Sequence, residues 1–143
     1  WTVGDTCFVF EDHADAKPES VLDVKKARQA ATHPNWIKKN AGLRDDIQVV
    51  SVLVTPVLKA KEGAFPHLEN VSLWHLDEFK AWAKNALSII RELRRRFTDP
   101  GDLEWREEAI NLFEKNTLDV PSIVRYLKAN IAGEILEPET VGK

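Results

Sequence analysis

The sequence predicts a small α/β domain, a mixed sheet flanked by helices, with a helical C-terminal extension. Three observations carry that expectation. Two short and nearly unbroken apolar runs, residues 7–10 and 47–55, are rich in β-branched and aromatic residues. Each is too short for a typical helix. Because they are apolar on both faces, they read as central strands covered by helices. Finally, the order strand, helix, strand, strand, helix, helix, helix belongs to the α/β class rather than to a bundle or a sandwich.

Gly4-Asp5 is a turn signal ahead of the first strand, which ends in Glu11-Asp12-His13. Residues 14–19 are a polar connection. Ser20 is the expected N-cap of a helix over residues 20–32, with Asp23 three positions on. Val21, Val24, Ala27 and Ala31 recur there at helical spacing, and His33-Pro34 is expected to end it. A short turn over residues 35–39 closes at Asn40-Ala41-Gly42. The second strand stops at Pro56. Residues 57–70, with Gly63 and Pro66, read as a surface excursion or flap. Residues 71–74 make a short strand nearer an edge. Asp77 then caps a long helix to residue 97 with Phe79, Trp82, Ala86, Ile89 and Leu93 in its apolar stripe. A helix from Asp102 to Lys115 and a last one over residues 121–132, with Pro121 in its first turn, follow. The division predicted is a core over residues 1–97, the helical extension over 98–132, and a flexible tail over 133–143.

The length of 143 residues suits one domain that buries a sizeable core without staples. A net charge of −3 rules out a uniformly basic nucleic-acid clamp, so any such contact must be a local patch. One cysteine, Cys7, allows no internal disulfide; it lies in an apolar run, reads as a core thiol, and fits a reducing, cytoplasmic setting. No stretch has the length of a membrane helix. The sequence holds no methionine, which suggests a processed chain or a fragment whose site is completed upstream.

There is no phosphate-loop pattern, no paired cysteines and no nucleophile elbow. His67 and His75 share no ligand spacing with the other histidines. What stands out is Glu11, the first polar residue after four apolar ones. Carboxylates at a strand end suit a hard divalent cation such as Mg²⁺ or Mn²⁺, which takes one or two protein carboxylates together with substrate phosphates. The same residues also make an ordinary solvated strand exit. Arg91, Arg94, Arg95 and Arg96 form the densest basic run. They complement a helix C-terminus and also offer phosphate contacts.

The strand ending in Glu11-Asp12-His13, the helix carrying Ala27-Arg28-Gln29-Ala30, and the strand at 47–55 together resemble the second half of the PD-(D/E)XK core of the restriction-endonuclease-like superfamily. The resemblance covers residues 5–97. It implies a restriction-endonuclease-like core and metal-dependent hydrolysis of DNA phosphodiesters. Glu11 would be a metal ligand and Asp5 a second one. Lysine stands two residues after the glutamate in that family, but here the position is His13, which together with Lys25 or Lys17 would serve the attacking water or the phosphate. Gln29, four residues before His33, would orient water or touch the backbone, and Lys17, Arg28, Arg94 and Arg95 would contact DNA. The missing lysine equally implies an inactive module that binds nucleic acid or protein within a larger assembly, its core completed by other domains or chains.

Overall fold

The computed structural model describes residues 1–99, 101 and 104–140. The two apolar runs form its spine. β1 (Thr2–Val3) and β2 (Thr6–Asp12) make an antiparallel hairpin. Its two-residue turn sets Gly4 at φ +60°, a conformation costly for any side chain with a Cβ. The chain continues through β3 (Val21–Leu22) and α1 (Val24–Asn40) to β4 (Gln48–Thr55), parallel to β2, with Phe8 opposite Val50 and Glu11 opposite Leu53. β5 (Lys59–Ala60), a 3-10 turn (Glu62–Ala64) and α2 (Phe65–Leu68) lead to β6 (Val71–His75), parallel to β4. The four-stranded sheet has the order β1-β2-β4-β6 and is mixed because β1 opposes the rest. α3 (Leu76–Arg96), α4 (Glu104–Lys115), α5 (Val120–Ala129), α6 (Ala132–Ile135) and β7 (Glu137–Pro138) follow. β3, β5 and β7 form a second, parallel sheet.

Alternation along the strands divides the core in two. One face packs Leu53 and Leu73 against Ala27 and Ala30 of α1, together with Val57, Ala60, Ala64 and Leu68. The other packs Phe8, Val50, Val52, Val54 and Trp74 against Ile123 and Leu127 of α5, with Phe79 and Trp82 of α3 partly buried beside them. α1 and α3 therefore cover opposite faces. Cys7 is buried and unpaired in the sheet.

Several boundaries differ from the sequence reading. Asp23, not Ser20, caps α1, accepting from Lys26 N at 2.7 Å; Ser20 instead donates its hydroxyl to Lys17 O. The stretch at residues 57–70 is no flap: Val57, Ala60, Ala64 and Leu68 are fully buried, four apolar anchors that fix it against α1. His75 caps α3 rather than Asp77. The expected helix start at Asp102 lies outside the described residues. The last predicted helix ends at Ala129. Residues 132–138 are not a frayed tail, because Ala132 and Leu136 are buried and β7 pairs with β5. The helical extension packs on the core, with Ile123 and Leu127 of α5 buried in its second cluster.

α1 also runs through Pro34, where the sequence predicts a stop. Proline has no N–H to give the carbonyl four residues back, so Ala30 O loses its helical donor. The buried Ser51 hydroxyl of β4 donates to that oxygen at 2.7 Å. An unmet buried carbonyl costs about 1–3 kcal/mol, so this one bond from the sheet removes a main objection to a continuous helix. Gly42, at φ +60°, then ends the segment as expected.

Candidate functional site

Glu11 is the only charged residue among the described residues that the fold buries, at 9% exposure. β2 carries it there because its register partner Leu53 points at α1. Both its oxygens are engaged. Lys26 Nζ lies 2.8 Å from Oε1 and also donates to Asp12 O at 3.2 Å. His33 Nδ1 lies 2.9 Å from Oε2. Lys26 and His33 are seven residues apart, two helical turns, so both sit on one side of α1 and reach the same carboxylate.

β1 covers β2 only as far as Phe8, where Trp1 and Phe8 exchange backbone bonds of 2.7 and 2.9 Å. Among the described residues, no strand pairs with the outer edge of residues 9–12. The Glu11 cluster thus stands where the sheet edge opens.

The other predicted site residues are spread more widely. Asp5 is in the hairpin turn at the far end of β2, bonded to the Thr6 hydroxyl. Six residue steps along the strand lie between it and Glu11, roughly 20 Å, so it does not join the cluster. Asp12 is aligned with Val54 on the other face, and its side chain accepts from Ala14 N. Lys25 is exposed on a different side of α1 from Lys26, and the structure does not bring it to Glu11. Lys17 and Arg28 are exposed, and Gln29 is half-buried on the same side of α1 as Lys26. Arg94 and Arg95 lie in the last turn of α3, on the opposite layer of the fold. The sequence reading missed Lys26 and, in its direct contact with Glu11, His33. The signal for Lys26 was present, since positions 26, 30 and 33 share a face with the buried Ala27 and Ala30.

His13 follows β2 and meets β4. Its Nδ1 is 3.0 Å from the Thr55 hydroxyl, which also accepts from Val57 N at 3.2 Å. A hydroxyl that accepts from Val57 and donates to a neutral imidazole uses every group present. Burial first, and then the charge of Lys26, hold the His13 pKa below its ordinary 6.5. The sign follows: between the two values the unfolded chain binds more protons. The stabilisation by neutral His13 is therefore complete above pH 6.5 and is lost as pH falls through the folded value. His13→Gln is expected to flatten the stability profile between pH 7 and pH 5 in urea titrations. An unaltered slope would remove His13 as its source.

Among the described residues, no group of three or more His, Cys, Asp or Glu converges in a way that could hold a metal ion. One carboxylate held by two basic side chains is short of a cage built by protein alone. No helix among the described residues is long and apolar enough to cross a membrane. Comparison of the chain with protein-family models, with curated proteins and with solved structures finds no match.

Proposed function

We propose that the chain is a nuclease-like domain, with a restriction-endonuclease-like core, that hydrolyses DNA phosphodiester bonds with the help of Mg²⁺ or Mn²⁺. The observation that carries this reading is the Lys26–Glu11 pair at 2.8 Å, buried against α1 beside an open sheet edge. The strand lacks the lysine that the PD-(D/E)XK resemblance calls for at position 13. An ammonium delivered from the next helix would supply the same charge to the same carboxylate. Glu11 is the ligand for the ion, which would polarise a phosphoryl oxygen and acidify an attacking water. Lys26 meets the phosphate or steers the water, as a compact charge on a flexible stem can do. His33 fixes the second carboxylate oxygen, and Gln29, on the same side of the helix, faces the backbone of the substrate.

One observation favours a second reading. Both Glu11 oxygens already have partners within the chain, as befits an inactive nuclease-fold module that keeps the scaffold for binding nucleic acid or protein in a larger assembly. Plasmid cleavage with Mg²⁺ or Mn²⁺ separates the two. Glu11→Gln keeps the shape and removes the charge that a hard cation needs, so cleavage is expected to fall to background, with melting curves as the fold control. Cleavage that survives the substitution would remove Glu11 from the mechanism. A starting protein without activity would leave the binding module as the better account.

A further inference from the structure

The geometry points to single-stranded nucleic acid as the ligand of α1, with Trp36 as the platform on which one of its bases stacks. This rests on the nucleic-acid reading above but not on catalysis. α1 carries Lys25, Lys26, Arg28, Lys38 and Lys39 and has no Asp or Glu within Val24–Asn40, in a chain whose net charge is −3. Glu11 and the capping Asp23 offset its first turn, and the C-terminal half carries Lys38 and Lys39 with no acidic residue on the helix itself.

On the same helix Trp36 is 61% exposed. An indole left open on a basic helix offers a flat π face beside cations, the pairing that an unstacked base with its phosphates can use. At 100° per residue, Lys26, Gln29, His33, Trp36 and Asn40 fall within an arc of about 80°. They make one stripe from the Glu11 cluster outward, with Trp36 about 15 Å along the axis from Lys26. That is the span of two or three nucleotides of extended single strand. The occupant must offer phosphates to the lysines and an unpaired aromatic face to the indole. A duplex has the phosphates but keeps its base faces stacked. A single strand offers both, the combination that single-strand binders use.

The test measures binding in EDTA, so that cleavage plays no part. Fluorescence anisotropy is read with a labelled oligothymidylate, a duplex of equal length, and an oligonucleotide of abasic sites. Trp36→Ala is expected to weaken oligothymidylate binding by roughly 5- to 100-fold. Trp36→Phe should keep most of the affinity, and duplex binding should change little. The abasic strand, which has phosphates without bases, should bind the starting protein about as weakly as oligothymidylate binds Trp36→Ala. Trp36 is exposed, so the fold is not at stake. Three results overturn the inference: oligothymidylate binding unchanged in Trp36→Ala, an equal loss on strand and duplex, or no binding by the starting protein. Binding through Trp36 by a protein that does not cleave would sink the hydrolase reading and leave this one standing. Cleavage with Trp36 indifferent would do the reverse.

Discussion

Trp74→Ala is expected to lower the unfolding free energy by about 3–5 kcal/mol, the range for deleting a large buried aromatic. Trp74 is 3% exposed on β6 and joins three elements. Its ring meets Phe79 edge-on with centroids 5.1 Å apart, Trp82 at 5.0 Å and Tyr126 at 5.6 Å. Alanine would leave a void bounded by α3 and α5, helices held mainly through this layer and too far apart in sequence to close on it. Urea titration followed by circular dichroism measures the effect. A loss under about 1 kcal/mol would mean that the helices collapse onto the sheet and that the aromatic layer is replaceable. Burial and Glu78 together hold the Tyr126 phenol protonated well above its usual range, so that ring stays neutral throughout such a titration.

The second large effect is expected at Lys26. Lys26→Met keeps the length of the side chain and removes its charge, so Glu11 stays buried with His33 as its remaining partner. That should cost about 1–3 kcal/mol, the penalty for an under-satisfied buried acceptor. In a cleavage assay the same change should lower turnover by about 10²-fold or more if the ammonium meets the phosphate. Lys25→Met is the control. It is adjacent in sequence, exposed and directed elsewhere, and should stay within about 0.5 kcal/mol with activity intact. Equal responses at the two positions would show that α1 contributes only diffuse charge. A drop at Lys25 alone would restore the assignment made from sequence.

The sheet was legible because its signal is local: two runs of β-branched and aromatic residues report burial on both faces without help from the rest of the chain. That they are central strands covered by helices followed from their apolar faces and from chain order; their parallel pairing is seen in the structure. The stretch at 57–70 was not legible. Its four anchors, Val57, Ala60, Ala64 and Leu68, are spaced by three, four and four, but Gly63 and Pro66 read as loop signals, and the stretch is a short strand, a 3-10 turn and a one-turn helix rather than one helix. At the site, Glu11 was legible from its place at the end of an apolar run. Its partner was missed although the buried stripe through Ala27 and Ala30 sets the phase of α1 and places Lys26, not Lys25, beside the sheet. Asp5 failed for a simpler reason: closeness along a strand is distance in space, and six residues of extended chain carry it to the far end of the sheet.

The bond from Ser51 to Ala30 O has a bearing on when this protein acquires its site. A peptide spanning α1 alone would have an unanswered carbonyl in mid-helix and a proline beside it, so its second half has little reason to persist in water. The missing donor comes from a strand some twenty residues further along, whose own place depends on pairing with β2. His33 stands immediately before that proline, and its approach to Glu11 depends on the helix continuing past it. The carboxylate and its two bases thus depend on a contact between helix and sheet whose partners are 21 residues apart in sequence. The complete cluster is therefore a property of helix and sheet together, not of α1 alone.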